Sequence, residues 1–333
     1  MSKRYPIAEV EALTERALTV AGFPAEDVGI VTEVLMYAEM RGNNQGLIKL
    51  ISGALKPNPD ATDIHEVSNK KISAKIDGGQ HIGMAAVGRG VHVAITKAKE
   101  HGMSIVAVNN YSSATGALGV WAKKITSAGL IGIVLSQCPE MVAPHGSYEP
   151  IFGTNPLAIG IPTGDSDPSL ILDMATSAEA WFGLVTAKEN GQEIRPDVAF
   201  NSRGELTTSP AEALEGALQV FDRSYKGSHL ALMVELLAGA LPGAAMEDKR
   251  NAKGWGSLII AIDPEEFDSL EAFQDRVRVM SRRVTGAKRV QGCNRIYLPG
   301  ERGDEVDAAN RRLGTIEIPE IVYTKLTELQ SKA

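Results

Sequence analysis

Hydrophobic positions along the chain recur at helical spacing in some segments and form short strand-like runs in others. Apolar residues return every three or four positions over 7–17 and over 28–38, and the second series ends at Gly42. A third series covers 84–100 and stops at Gly102. This spacing puts apolar side chains on one face of a helix, so it predicts two helices at the start of the chain and a third further along.

Six short segments predict strands, KISAKID by its alternation and the others as apolar runs bounded by Gly, Pro or Asp. They are KISAKID (71–77), SIVAVN (104–109), LIGIVLS (130–136), LAIGIP (157–162), LILDM (170–174) and GSLIIAID (256–263). Asp263 is expected to cap a helix that begins at Pro264. The apolar face of that helix would consist of Phe267, Leu270, Phe273, Val277 and Met280. The mixture indicates an α/β or α+β enzyme-like chain with a helical N-terminal region.

Composition narrows the class of protein. The 333 residues are enough for two domains, or for one domain with a sizeable insertion. A net charge of −7 and a pI near 5.5 argue against a nucleic-acid partner, which usually needs a basic surplus. Cys138 and Cys293 cannot form a disulfide framework, and a reducing compartment is the simplest interpretation.

Two segments bear on location. The N-terminal MSKRYPIAEVEAL lacks the apolar core of a signal peptide. The run HLALMVELLAGALPGAAM (229–246) contains Glu235 and Pro242, is too short and interrupted to span a bilayer, and is predicted to be a buried helix. We therefore expect a soluble, cytoplasmic protein with no membrane partner.

Familiar nucleotide and metal motifs are missing. A dinucleotide site of the usual kind needs GxGxxG between a strand and a helix, but GRG (88–90) lies inside a helical pattern and GALG (116–119) has the wrong spacing. No GxxxxGK[ST] phosphate loop occurs. The six histidines show no HExxH or paired spacing, so we expect no metal site.

Two stretches in the middle of the chain could carry chemistry. APHGSYEPIFGTNPLAIGIP (143–162) contains His145, which is either an acid or base, since histidine titrates near neutrality, or a turn residue bonded to backbone. In LDMATSAEAWFG (172–183), Asp173 ends a strand, and Thr176 and Ser177 can cap a helix. The N–H groups of such a helix bind phosphate well, although most capped helices bind nothing.

Two later stretches are weaker candidates. SYKGSHLALMVELL (224–237) places Tyr225 and Lys226 at a helix start, where a cation can meet an anionic ligand, although a surface lysine is an equal interpretation. YLPGERGDE (297–305) is on its own a solvated Pro-Gly turn.

Taken in this order, the blocks PHGSYEPIFGTNPLAIGIP, LDMATS, YKG and LPGE resemble the malate/L-lactate dehydrogenase family, which does not use a Rossmann fold. Its members include ureidoglycolate and sulfolactate dehydrogenases, diketogulonate reductase and piperideine-2-carboxylate reductase. The resemblance extends from about residue 5 to about residue 305. The pair of GTNP and DMATS is far more specific than a lone glycine motif.

The resemblance implies a homodimeric oxidoreductase that uses NAD or NADP on small 2-oxo or 2-imino carboxylates and their reduced forms. It implies a sulfolactate-dehydrogenase-like α/β fold with a mixed-sheet, non-Rossmann cofactor domain, a second α/β domain and a helical terminal region. The expected parts are a helical region at 1–60, a substrate-side domain of 61–122 with 286–333, and an NAD(P)-binding domain at 123–285. The alternative is an inactive nucleotide-binding homologue that acts as a sensor or structural subunit.

The family's cofactor contacts map onto three of the blocks, at Asp173, Met174, Ala175, Thr176, Ser177, Tyr225, Lys226, Gly300, Glu301 and Arg302. The GTNP turn would line the nicotinamide and substrate pocket, with Gly153 and Thr154 as contacts.

The early turn departs from the family's pattern. The family has Ser-His-Gly there, with the His as an acid/base candidate, and then an Arg that grips the substrate carboxylate. Anchored on Gly46, this chain has Asn44 and Gln45 at the Ser-His positions and Lys49 at the Arg position. Gln45 can donate a hydrogen bond but no proton, and Lys49 would bind a carboxylate without the bidentate fork of Arg.

A second family histidine is also missing, and Ser113 or Ala114 takes its place. Hydride addition to a carbonyl makes an alkoxide, for which a general acid is worth roughly 10²–10⁴-fold in rate. Either the substrate is a protonated imine that needs no acid, or another group replaces the histidines. His145 is then the leading candidate, ahead of Lys226 and Tyr148.

The basic segment SRRVTGAKRVQGCNR (281–295) bears on the choice of cofactor. Its Arg and Lys residues could contact a 2′-phosphate and favour NADP, or they could form a solvated helix face. The choice between NAD and NADP stays open at this point.

Overall fold

The computed structural model describes residues 2–43, 45–164, 168–252 and 254–331. Its strands are β1 (Ser2–Pro6), β2 (His65–Asn69), β3 (Ser73–Asp77), β4 (Met103–Tyr111), β5 (Ile131–Ser136), β6 (Leu157–Ile161), β7 (Leu170–Met174), β8 (Ala199–Phe200), β9 (Ala217–Leu218), β10 (Trp255–Ile262) and β11 (Thr315–Pro319). Its α-helices are α1 (Ile7–Val20), α2 (Ala25–Met40), α3 (Ile48–Ile51), α4 (Gly83–His101), α5 (Gly119–Ser127), α6 (Trp181–Glu189), α7 (Pro210–Glu215), α8 (Tyr225–Glu235), α9 (Lys249–Ala252), α10 (Leu270–Thr285), α11 (Glu301–Leu313) and α12 (Glu320–Gln330).

In the described part of the chain, one seven-stranded sheet forms the centre of the fold, in the order β2-β3-β4-β10-β5-β6-β7. β3 and β4 run parallel, and the other neighbours in this sheet are antiparallel. A parallel pair needs a crossover connection, which α4 provides. The mixed-sheet α/β fold expected from the resemblance is therefore confirmed, and each of the six predicted strands is present.

Close packing of α4 and α5 on the sheet fixes the loop that follows β4. Gly90 of α4 touches the sheet, because a Cβ atom there would lie 2.6 Å from Val108 Cγ2 and 2.7 Å from Ile259 Cδ1. Trp121 of α5 is fully buried and donates its indole N–H to Thr115 O at 2.9 Å. The loop around Thr115 is thereby held against the end of the sheet.

The two ends of the described chain meet in a separate two-stranded sheet. β1 pairs with β11, and α1 packs on α12, where the rings of Tyr5 and Tyr323 stack with their centres 3.8 Å apart. The predicted boundary between 122 and 123 falls inside α5, and the central sheet contains strands from both sides of it. That boundary does not separate two sheets, and the division into domains stays a prediction.

The helix predicted to start at Pro264 begins later, and that prediction was wrong. Asp263 accepts the N–H of Glu265 and caps only a 3₁₀ turn, while Ser269 caps α10. Two capping residues in succession split the segment, and Phe267 between them is 85% exposed.

The apolar run at 229–246 is only half buried, which corrects the prediction of a buried helix. α8 continues into a π-helical turn at Leu236–Ala240 and buries Val234 and Ala238. The rest of its surface exposes Leu230, Leu232, Met233, Leu236, Leu237 and Leu241. Among the described residues, none of the helices combines the length and the apolar character needed to cross a membrane.

Candidate active site

A cleft of about 930 Å³ opens at one end of the central sheet. Its walls come from the α2–α3 turn, the β4–α5 loop, the turn after β5, the segment that joins β7 to α6, and the turn before α11. The volume lies at the upper end of the range for small-molecule and cofactor sites. Separate parts of the sequence therefore meet around one cavity.

Lys49 supplies a cation to this cleft. It lies in α3, is 4% exposed, and has its Nζ atom 4.5 Å from the centre of the Phe182 ring. Burial lowers the pKa of Lys49 to about 8, although the nearby Cys138 and Asp173 oppose that shift. No described carboxylate forms an ion pair with Nζ, so a ligand carboxylate could take that place.

Asp173 lies at the end of β7 and is open to the cleft. Its Oδ2 atom accepts the N–H of Gly119, the first residue of α5, at 2.7 Å. Desolvation by the surrounding protein raises the pKa of Asp173 to about 6, against the effects of Gly119 and the Lys49 charge. Two groups in the cleft thus have pKa values moved toward neutrality, which is common at functional sites.

Gly119 is required where Asp173 approaches α5. A Cβ atom at Gly119 would lie 2.9 Å from Tyr37 Oη and 3.0 Å from Asp173 Oδ2. Burial also raises the pKa of Tyr37 to about 12. The phenol therefore stays neutral near pH 7 and can donate a hydrogen bond at this end of the cleft.

Glu39 of α2 holds the turn that presents Gln45. Its Oε2 atom accepts the N–H of Leu47 at 2.9 Å. Gly46 permits this approach, because a Cβ atom there would lie 2.2 Å from Oε2. Burial raises the pKa of Glu39 to about 7. The carboxyl group of Glu39 therefore fixes the conformation of this turn.

A buried polar network supports the floor of the cleft. Lys249 Nζ lies 2.7 Å from Glu235 Oε1, and the two residues are 0% and 4% exposed. Gln137 and Asn155 donate amide N–H groups to the two oxygens of Glu235 at 2.8 and 2.7 Å. Asn155 Oδ1 in turn accepts the N–H of Cys138 at 3.4 Å. Because Gln137 and Cys138 line the cleft, the network sets the shape of its floor.

The GTNP and DMATS segments are bonded to each other. Thr176 donates its N–H and its hydroxyl to Thr154 O at 2.9 and 3.1 Å. Gly153 packs against Cys138, whose Cβ would lie 2.5 Å from a Cβ at that glycine. Thr154 and Ser177 line the cleft, whereas Thr176 and Gly153 lie behind its wall.

Most residues assigned by the resemblance lie in or beside this cleft. Its lining includes Gln45, Lys49, Thr154, Asp173, Met174, Ala175, Ser177 and Gly300. Glu301 and Arg302 follow Gly300 in the first turn of α11, where Glu301 pairs with Arg295 and the Arg302 guanidinium covers the Tyr297 ring. Asn44 lies outside the described residues.

His145 lies apart from the cleft. It is exposed beside a separate depression of about 290 Å³, which Tyr148 also lines. Its loop pairs with β9 through a bridge between Val142 and Leu218. The backbone N–H of His145 donates to Ser228 Oγ at 3.1 Å. This placement does not support His145 as the proton donor of the cleft, and that role stays a prediction.

Tyr225 and Lys226 also lie outside the described lining of the cleft, at the start of α8. Tyr225 is 56% exposed and meets the ring of His229 edge-on. No histidine is among the described lining residues. Ser113 and Ala114, one of which is predicted to replace the second family histidine, both line the cleft. Among the residues that the structure describes, no group of three His, Cys, Asp or Glu is arranged to hold a metal ion.

Sequence patterns missed three features of the site. Phe182 and Cys138 line the cleft beside Lys49. Phe182 lies in the candidate stretch 172–183 but was given no role there, and Cys138 was considered only as a free cysteine. The buried pair of Glu235 and Lys249 was also missed. A glutamate inside the apolar run at 229–246 was a visible signal for a buried partner, but its partner could not be named.

Comparisons with known proteins agree with the geometry. The profile of the family described as malate/L-lactate dehydrogenase matches residues 5–327. Malate dehydrogenase of Pyrococcus abyssi is 32% identical, covering 98% of this chain and 94% of that protein. Delta(1)-pyrroline-2-carboxylate reductase 1 of Burkholderia ambifaria is 32% identical, covering 96% of both chains.

A solved structure has the same fold. The crystal structure of malate dehydrogenase from Entamoeba histolytica superposes with a TM-score of 0.91 at 26% identity, covering 99% of this chain and 98% of that one. The superposition and the family profile each cover nearly the whole sequence. The chain therefore belongs to the malate/L-lactate dehydrogenase family.

Proposed function

We propose that the protein is an NAD(P)-dependent oxidoreductase that transfers hydride to or from C2 of a small 2-imino or 2-oxo carboxylate, and that the imine is the better substrate. One observation carries the proposal: Lys49, a buried cation without a described carboxylate partner, lines the same cleft as residues 173–175, Ser177, Thr154 and Gly300. A carboxylate anchor and the segments assigned to the cofactor thus share one cavity.

The residues around the cleft fit a nicotinamide cofactor. The cavity is large enough, and Gly119 places the start of α5 beside Asp173. Gly300 has a φ of +86°, and a Cβ atom there would lie 3.1 Å from Ile171 O. When bound, the cofactor supplies or accepts the hydride. NAD and NADP both occur among the relatives.

Lys49 would hold the substrate carboxylate with a charge-assisted hydrogen bond. Gln45, on the turn held by Glu39, would hydrogen-bond the atom attached to C2. Asn44, next to Gln45 in the sequence, is proposed to shape the same end of the site. Binding of the carboxylate orients C2 for hydride transfer, and such orientation is a large part of catalysis.

The absence of histidine from the described lining favours the imine. A protonated imine accepts hydride at C2 and becomes a neutral amine, so no proton has to be delivered. An oxo acid forms an alkoxide and needs a donor. Gln45 cannot release a proton, and His145 lies in another depression. Lys49 is occupied by the substrate carboxylate, and Asp173, with a pKa of about 6, is mostly ionised at neutral pH. The inactive alternative is not favoured, because the relatives are dehydrogenases and reductases.

Absorbance of NADH and NADPH would be followed with pyrroline-2-carboxylate and with pyruvate as substrates. We expect oxidation of at least one cofactor with the imine. The rate with pyruvate should be lower by at least about 100-fold. Equal rates would contradict the preference for the imine and would require a proton donor. Binding of a cofactor without turnover of either substrate would instead favour the sensor.

A homodimer in the cytoplasm is part of the proposal. An exposed apolar patch usually marks an interface, and α8 with its π-helical turn exposes Leu230, Leu232, Met233, Leu236, Leu237 and Leu241. Sedimentation velocity is expected to give about twice the 35.5 kDa mass of one chain. Leu237→Asp should yield the monomer, and a monomeric parent protein would contradict the assignment.

A further inference from the structure

We propose that Phe182 and Trp181 form an aromatic wall that selects substrates with one carboxylate and an apolar or ring-shaped remainder, against substrates with a second anionic group. The inference rests on the proposed function, because it specifies which carboxylates enter the same cleft.

The wall is built into the start of α6. Trp181 and Phe182 are its first two residues, and both side chains line the cleft. Trp181 also packs against the apolar cluster that contains Val142 and Leu218. Phe182 belongs to no such cluster, and the centre of its ring lies 4.5 Å from Lys49 Nζ. Phe182 therefore packs beside Lys49 in the cleft and not in an apolar cluster.

The position of Phe182 next to Lys49 determines what can follow the carboxylate. A substrate held at Lys49 must place its neighbouring atoms close to the Phe182 ring, because the ring already covers one side of Nζ. Planar rings and hydrocarbon groups pack well on an aromatic face, whereas an anion is repelled by the negative face of the ring. The wall thus favours an apolar remainder.

The charges in the cleft also favour a substrate with a single carboxylate. The described lining contains two cations, Lys49 and Arg41, and two carboxylates, Asp173 and Glu179. Arg41 forms an ion pair with Asp304 and covers the Tyr37 ring, so it is already neutralised. A second substrate anion would find no unpaired cation there and would be repelled by Asp173 whenever that carboxyl is ionised.

Binding of two unreactive anions would test the wall without turnover. Pyrrole-2-carboxylate is a planar ring with one carboxylate, and malonate is a small dicarboxylate. Titration calorimetry with enzyme saturated by NADH or NADPH is expected to give at least about 10-fold tighter binding of pyrrole-2-carboxylate. Phe182→Leu should remove about 10-fold of that affinity and leave malonate unchanged. Phe267→Leu, the same change at an exposed site, should alter neither.

Three outcomes would overturn the inference. These are equal binding of the two anions by the parent protein, an equal loss of both in Phe182→Leu, and a loss of cofactor affinity in that variant with the anion preference unchanged. The last would assign the ring to the cofactor. Failure of the proposed function is a separate result, since it would appear as no oxidation of NADH or NADPH while the preference for pyrrole-2-carboxylate persists.

Discussion

Lys49→Met is expected to weaken binding of a carboxylate substrate about 100-fold, since a hydrogen bond to a charged group contributes roughly 1.5–3 kcal/mol. The variant removes the one lining cation that has no described carboxylate partner. The loss should appear in KM and in the dissociation constant of pyrrole-2-carboxylate, with little change in cofactor affinity. Lys49→Arg keeps the charge and should retain most of the affinity. Lys188→Met, at an exposed position on α6, is the matched control.

The dependence on pH follows from the pKa of Lys49, which is about 8. In the free enzyme the amine is charged below that pH and neutral above it. Affinity for pyrrole-2-carboxylate should therefore be level between the pKa of Asp173, about 6, and that of Lys49, and should fall tenfold per pH unit above about 8. Lys49→Arg should remove the fall, because arginine stays protonated. A decline that persists unchanged in Lys49→Arg would mean that another group controls binding.

The folding stability of Lys49→Met distinguishes a ligand-binding role of Lys49 from a structural role. The pKa of Lys49 is lowered from 10.5 to about 8 by burial, so the unfolded chain holds the proton more tightly between these values. The folded protein consequently bears a cost on the order of 3 kcal/mol at neutral pH, which is relieved as the pH rises from about 8 to 10.5. Lys49→Met removes that cost. A folded variant at least as stable as its parent, with impaired binding, is the expected combination.

Local patterns in the sequence predicted the strands well, because apolar runs such as 104–109 and 256–263 lie in a sheet with helices packed on it. The GTNP and DMATS segments, which the resemblance assigns to one pocket, lie side by side and are hydrogen-bonded through Thr154 and Thr176. Position relative to a motif was less informative. His145 precedes GTNP by eight residues, yet it lines a separate depression and its loop pairs with β9 through Val142 and Leu218.

Contacts between distant residues were beyond the sequence. Phe182 faces Lys49 because α6 packs on α3, and nothing in the spacing of the chain encodes that contact. Splitting of the helix at Phe267 depended on two capping residues competing for one segment. Such features arise from tertiary packing, which can override local preference.

The second large effect is expected for Lys249→Met, which should lower the free energy of unfolding by about 3–5 kcal/mol. Lys249 Nζ lies 2.7 Å from Glu235 Oε1 and 3.2 Å from Ile151 O, in a site where both charged residues are buried. Removal of the cation leaves the Glu235 carboxylate buried with only amide donors from Gln137 and Asn155. An uncompensated buried charge is far more costly than a lost surface ion pair.

Urea denaturation at a fixed protein concentration would measure the loss. Arg250→Met changes the next residue of α9, which is exposed and contacts Glu140 O, and should cost less than about 1 kcal/mol. Because Glu235 also holds Gln137 and Asn155 beneath the cleft, Lys249→Met should reduce kcat/KM even in the folded fraction. A stability within 1 kcal/mol of the parent would mean that the pair is not buried in solution. Normal kcat/KM in a destabilised variant would mean that the network supports the fold but not the site.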